Sequence, residues 1–262
     1  MKKIVALALA LMLLATCLVG CGAKGKTLDD VKKAGALVVA TSPDFPPFEY
    51  LEGTEPVGIE IELMQRICQK LGVELKIEQM DFDSILPGVQ AGKYDAGVAG
   101  ISVDEERQKN SLFTDPYCLA AQSIVVTADS PIKGKADLEG KTVSVQSGTT
   151  ADKFCNANGY TVSAFTANSD AQTALTTGKV DAWVIDDLTA AEMVAAYNAD
   201  HTDQLVILDD AMTTEPYAFA FMKGNDELVK SVNEVLNELV ADGTVASLFE
   251  KYNAPYTAPT AK

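Results

Sequence analysis

One phrase occurs twice in this chain, and it limits the folds available more than any other feature. Gly92-Lys93-Tyr94-Asp95-Ala96-Gly97-Val98 returns as Gly178-Lys179-Val180-Asp181-Ala182-Trp183-Val184, a shared G-K-x-D-A-x-V that each time follows a helix-like run. In the first copy Tyr94–Ala99 reads as a short buried strand, Gly100–Ser102 as a turn made for close approach, and Asp104–Lys109 as the start of a polar helix carrying Arg107. In the second, the strand runs to Asp186. Ligands of open α/β sheets collect at such strand ends. Two similar lobes are expected, one offering Arg107 and the other Asp186.

The first twenty residues read as an address. Lys2 and Lys3 form a basic start, and Ile4–Leu14 is an apolar run too short to span a bilayer. The run ends in Leu18-Val19-Gly20-Cys21, which resembles the bacterial lipoprotein lipobox and implies cleavage before Cys21 with a diacylglycerol thioether on its sulfur. Residues 1–20 are thus expected to be a signal peptide and 21–26 a lipid-anchored tether. Several acyl chains give lasting attachment where one does not, so the mature chain is placed on the outer face of a membrane, the periplasmic side if the source has two. No second apolar segment is long enough to span.

Lysine and arginine total 21 against 37 acids, and the net charge of −16 becomes −18 once Lys2 and Lys3 leave. So acidic a surface argues against nucleic acid and anionic headgroups as partners. Cys17 leaves with the signal and Cys21 is the anchor. Cys68, Cys118 and Cys155 remain, an odd number that cannot form a complete disulfide framework, and Cys68 falls on an apolar helix face as a buried small hydrophobe. The single histidine, His201, lies between acids in a polar loop, so no zinc cluster and no Ser-His-Asp triad is indicated. No metal or other cofactor is expected.

Taken in order, a lead-in helix at Thr27–Lys33 precedes a buried strand at Leu37–Ala40. The strand empties into Thr41-Ser42-Pro43-Asp44-Phe45-Pro46-Pro47-Phe48, whose prolines stiffen the backbone and present two phenylalanines, one expected in the core and one on a ligand. Gly58–Leu71 is an amphipathic helix ended by Gly72. Val73–Ile77 is a strand, and Asp81-Phe82-Asp83 is expected to cap a further helix. Leu119–Thr127 and Tyr217–Met222 read as β-prone crossings in opposite directions. Lys141–Gln146 opens into Ser147–Asp152, a loop feeding a helix N-terminus of the kind that favours a carboxylate. Gly134…Gly140-Lys141-Thr142 looks like a phosphate-binding loop, but its glycines are one residue too far apart and a strand follows. Asn253–Lys262, with two prolines and no apolar period, is expected to fray.

From about Leu37 to Tyr252 the chain resembles the extracellular solute-binding proteins of polar amino-acid ABC transporters, with glutamine and lysine/arginine/ornithine binders among them. The residues that carry the resemblance are V-V-A-T…F-P-P-F-E-Y, F-D-S-I-L-P-G-V-Q-A-G-K-Y-D, A-G-I-S-V-D-E-E-R, F-T-D-P-Y, Q-S-G-T-T, G-K-V-D-A…D and G-T-V-A-S-L-F-E-K-Y, in that order. It implies a two-lobed α/β periplasmic-binding-protein fold (type II) with two hinge strands and a ligand cleft between lobes. Lobe 1 would hold 27–120 and 219–262, and lobe 2 would hold 121–218. It implies a monomer that takes a free amino acid and hands it to a permease. Arg107 would fork onto the ligand's α-carboxylate, helped by amides at Ser102 and Thr150 in the Thr149-Thr150 loop. Asp186 would take the α-ammonium with the Gly100 carbonyl and the Ser102 hydroxyl, and Phe45 and Phe82 would flank the side chain.

Elementary electrostatics selects the same pair, since a zwitterion taken out of water needs a countercharge at each end and the arginine fork suits a carboxylate. Ser42 departs from the resemblance, standing where glutamine and basic amino-acid binders carry an acid. An uncharged ligand side chain is therefore expected, with Asp44 the residue that could restore the missing charge. The alternative function is a cyclohexadienyl dehydratase-like enzyme on the same fold, which would have to recruit Glu49 or Asp44 as its acid.

Overall fold

The computed structural model describes residues 25–210 and 212–259. The expected signal peptide and Cys21 lie outside them. Helix α1 (Leu28–Ala34) begins with a reciprocal capping box between Thr27 and Asp30. Strand β1 (Ala36–Thr41) leads to a small antiparallel ribbon, β2 (Asp44–Phe45), β3 (Glu49–Glu52) and β4 (Glu55–Val57). Helix α2 (Ile59–Leu71), β5 (Glu74–Gln79), α3 (Phe82–Gln90) and β6 (Ala96–Gly97) follow, then α4 (Glu105–Asn110) and β7 (Ser111–Phe113). Strand β8 (Cys118–Ala120) leaves this unit and β9 (Gln122–Thr127) enters the next. That unit continues with β10 (Thr142–Gln146), α5 (Thr150–Ala157), β11 (Thr161–Phe165), α6 (Asn168–Thr176), β12 (Ala182–Asp186), α7 (Asp187–Asp200) and β13 (Leu205–Ile207). Strand β14 (Glu215–Tyr217) returns, and β15 (Ala220–Met222), α8 (Asp226–Ala241) and α9 (Thr244–Lys251) complete the first unit.

Each unit is built on a five-stranded sheet, ordered β5-β1-β6-β15-β7 in one and β11-β10-β12-β9-β13 in the other. In each sheet four strands run parallel and the fourth in order, β15 or β9, runs antiparallel to them. Buried Leu37 and Val39 of β1 pack with Leu63, Ile67, Leu236 and Phe249 from the helices, which explains the four-residue apolar steps of α2.

The repeated phrase does the same local work in both sheets. Gly92 and Gly178 sit at φ 70° and 71° just past α3 and α6. The next amides, of Lys93 and Lys179, reach back to the carbonyls of Gly88 and Ala174, closing each helix end. The aspartate then bonds the neighbouring strand twice. Asp95 donates its amide to the Val38 carbonyl at 2.7 Å and accepts the Val38 amide on its carboxylate at 2.9 Å. Asp181 treats Thr142 identically, at 2.8 Å both ways. The repeat is a device for docking a helix-to-strand return beside the second strand in the order of its sheet, β1 or β10.

Three expectations need correction. The crossings are shorter than the β-prone runs: β8 and β14 pair antiparallel as a two-stranded ribbon, with Cys118 opposite Tyr217, while β9 and β15 already belong to the sheets. The reason is that the main-chain ladders of the sheets claim their partners as soon as each crossing ends. Asp81 occupies the N-cap position of α3 without a side-chain cap bond. The tail is held through Thr257 rather than frayed. Tyr256 packs on Phe249 at 5.0 Å and its hydroxyl donates to the Tyr117 carbonyl, while the Leu119 amide donates to the Thr257 carbonyl at 3.0 Å. Cys68, Cys118 and Cys155 are buried free thiols. Among the described residues no helix is long and apolar enough to cross a membrane.

Candidate functional site

The strand ends of the two sheets face one another across a small, nearly closed cavity. Its wall contains all nine residues singled out above: Ser42, Phe45, Phe82, Gly100, Ser102, Arg107, Thr149, Thr150 and Asp186. The two lobes are closed on one another around it. Asp44 accepts the Asn168 amide at 2.7 Å, Lys153 reaches Asp104 and Glu106 at 3.2 and 2.9 Å, and Arg107 donates to the Gly148 carbonyl at 3.1 Å.

Arg107 is placed by its helix. Asp104 caps α4 by accepting the Arg107 amide at 2.6 Å, and the guanidinium turns inward, 5% exposed, donating to the Ser102 carbonyl at 2.8 Å. It lies 5.6 Å from the Phe82 ring centroid, a cation over an aromatic face. Burial lowers its pKa, while Asp104, Glu215 and Asp186 act the other way, and a guanidinium stays charged through such changes. The turn before it requires glycine. Gly100 has φ 53°, and a Cβ there would lie 2.6 Å from the Phe45 ring. Phe45 therefore lines the cavity against bare backbone, while Phe48 goes fully into the core against Tyr217 and Phe249.

Opposite stands Asp186, at the N-cap position of α7 yet making no cap bond with its side chain. Its carboxyl turns into the cavity and accepts from Gln122. Burial, reinforced by the charge of Glu215, holds its pKa well above the usual carboxylate range. Glu215 itself, on the return crossing β14, accepts hydroxyls from Ser102 of one lobe and Thr150 of the other.

The cavity wall also carries Asp44, Glu49, Ala99 and Gln146. Asp44 already has its partners, the Asn168 amide, the Ser42 hydroxyl and the Gln146 amide. Glu49 does not. It is fully buried, and no hydrogen-bond partner other than the Glu60 carboxyl reaches it among the described residues. Burial first, then the charge of Glu60, pushes its pKa well above the usual range. Among the described residues no group of three or more histidine, cysteine or acid side chains is arranged to hold a metal ion.

The sequence profile of bacterial extracellular solute-binding proteins, family 3, matches residues 37–255. The chain belongs to this family. Among curated relatives, the L-cystine-binding protein TcyJ of Escherichia coli is 29% identical over 86% of this chain and 85% of its own length. The arginine-binding extracellular protein ArtP of Bacillus subtilis is 29% identical over 92% of this chain and 96% of its own. Among solved structures, a variant of ArgBP from T. maritima superposes with a TM-score of 0.81 at 39% identity, covering 86% of this chain and 98% of that one. The arginine-bound form of truncated ArgBP matches at 40% identity and a TM-score of 0.76 over 80% and 99% of the two chains. The two sheets and their ribbon are thus the two-lobed periplasmic-binding-protein fold, and this solute-binding protein's named relatives bind amino acids.

Within this family member, reading the sequence alone passed over Glu60, Gln122, Gln146 and Glu215. Glu60 looks like an ordinary first-turn acid of α2, yet it is fully buried, accepting the Gly100 amide at 2.9 Å and the Tyr117 hydroxyl at 2.6 Å. It holds the glycine turn that leads to Arg107. Gln122 sits just past one crossing and Glu215 on the other, and no local pattern marks side chains whose partners lie far away in the chain.

Proposed function

We propose that this solute-binding protein captures a free amino acid between its lobes and presents it to an ABC-transporter permease. The observation that carries the reading is the opposition, across one enclosed cavity, of a buried arginine and a buried aspartate supplied by different lobes. The Arg107 fork takes the α-carboxylate, with the amides at Ser102 and Thr150 beside it. Asp186 takes the α-ammonium with the Gly100 carbonyl and the Ser102 hydroxyl, and Phe45 and Phe82 flank the side chain. Closure follows from differential affinity, because only the closed form brings both charges to the ligand. Cys21 carries the lipid anchor, the protein works as a monomer on the outer membrane face, and it performs no chemistry on its ligand.

Ser42 by itself favoured an uncharged side chain. The cavity wall favours a basic one, since three carboxyls (Asp44, Glu49, Asp186) stand against one arginine and Glu49 has no cationic partner. The names of the arginine-binding relatives support the same choice. Calorimetric titration of the mature domain with arginine, lysine, histidine, glutamine, methionine and cystine tests it. Arginine or lysine is expected to bind tightest, and a thermal shift should accompany binding because ligand stabilises by RT ln(1 + [L]/Kd), about 3–4 kcal/mol at a hundred- to thousandfold excess over Kd. Glutamine binding alone would return the assignment to an uncharged ligand. Loss of water from arogenate or prephenate in the presence of the protein would instead favour the dehydratase reading, for which Glu49 is the acid in place.

A further inference from the structure

Glu49 and Glu60 are two fully buried acids on adjoining elements, β3 and α2. Their circumstances differ. Glu60 has its oxygens filled by the Gly100 amide and the Tyr117 hydroxyl, both donors, which suits an ionised carboxylate. Glu49 lines the ligand cavity, and its carboxyl is hydrogen-bonded only to that of Glu60. The groups that act on it are all acidic: Glu60 from α2, Asp44 from β2 and Asp186 from β12. Glu49 in turn acts on Tyr117, just ahead of β8. Arg107 shares the cavity but keeps its guanidinium on the Ser102 and Gly148 carbonyls. A second unpaired negative charge buried beside Glu60 would be strongly disfavoured.

We propose that Glu49 sets the ligand's side-chain charge by exchange: in the empty cavity it carries a proton beside ionised Glu60, and a cationic ligand head displaces that proton and takes its place. The step balances, since the O–H bond of Glu49 breaks, the proton leaves to solvent, and the incoming guanidinium or ammonium restores the lost positive charge. This rests on the reading of the cavity as an amino-acid site. It makes specificity depend on pH. Acid favours neutral side chains, which can hydrogen-bond a protonated Glu49, and alkaline conditions favour basic ones. The raised proton affinity of Glu49 agrees with this order of events.

The test is calorimetric titration of wild-type protein with arginine and with glutamine at one pH, repeated in buffers of different ionisation enthalpy. Both ligands share the α-ammonium that meets Asp186, so any proton released there cancels in the difference. Arginine is expected to release about one proton more than glutamine, with its affinity falling up to about tenfold for each pH unit of acidification while the glutamine affinity changes less. In Glu49→Gln the extra proton should vanish, and the arginine affinity should fall at least tenfold more than the glutamine affinity. Equal proton release for the two ligands in wild type would overturn the exchange, and so would binding of glutamine without arginine; the wild-type result stands even if the variant fails to fold. Binding of no amino acid at all would remove the underlying reading instead.

Discussion

Strand β6 pairs through only two residues before the chain turns through Gly100 and climbs a helix to reach Arg107, whereas β12 pairs through five and delivers Asp186 at the first turn of α7. The scaffolding beneath them is the same, down to the aspartate that bonds the neighbouring strand in both directions. The arginine needs the detour, because a long side chain must start back from the cavity to present its head there, and a short carboxylate must start at the rim. The repeat is therefore structural, and the charges lie where the two copies stop resembling each other. Support also differs: Asp95 is buried and bridged to Lys26 at 2.5 Å, while Asp181 is exposed.

The largest effect that would break this comparison is expected at its two ends. Arg107→Ala and Asp186→Ala should each weaken amino-acid binding by about 2–5 kcal/mol in calorimetry, since each leaves a buried ligand charge unpaired. Wild-type affinity in either variant would show that the ends do not act as a pair. Asp186→Asn sharpens the point. Because the empty site favours the neutral acid, the ligand-free melting temperature should hold or rise while binding is lost.

Next come the shared aspartates. Asp95→Ala should cost about 1–3 kcal/mol in chemical denaturation, as it strands the Val38 amide and frees Lys26. Asp181→Ala at the exposed copy should cost about 0.5–1.5 kcal/mol. Neither should alter ligand preference, and equal losses would mean that burial does not distinguish the copies.

A third effect lies in pH. Burial raises the pKa values of Glu49, Glu60 and Asp186 in the folded state, so the native protein binds more protons than the unfolded chain above the ordinary carboxylate range. Ligand-free stability should then rise as pH falls from about 8 toward 5, by at most about 1.4 kcal/mol per pH unit for each such carboxyl. Below that window Asp104 and Glu62, whose pKa values are lowered by hydrogen bonds and neighbouring cations, contribute stability that is lost on protonation. A flat profile over that window would show the cavity to be wet rather than enclosed. Glu49→Gln should reduce the slope, and Asp181→Ala should leave it unchanged.

The smallest effect is expected at the hinge. Tyr256→Ala should reduce stability by about 1 kcal/mol. It should also speed hydrogen exchange at the Leu119 amide, which the tail protects through the Thr257 carbonyl. Unchanged exchange would mean that the tail lies on the ribbon without holding it.

Read alone, the sequence carried the α/β rhythm, the two-lobed organisation implied by the resemblance, and nine residues that the structure brings around one cavity. The rhythm was legible from apolar period and glycine at helix ends, and Arg107 and Asp186 from the repeated motif at a strand end; most of the other site residues came from the resemblance. Chain separation decided the rest. Glu60 and Gly100, forty residues apart, meet only when α2 packs against its sheet. Ser102, Thr150 and Glu215 converge from both lobes and the return crossing. The tail finds the hinge because Tyr256 has Phe249 to cover. Beside Ser42, Asp44 has its donors, the Asn168 amide among them, while only the Glu60 carboxyl reaches Glu49. A carboxylate's role is set by whether donors reach it, and which donors reach it is a property of the folded chain rather than of its neighbours in sequence.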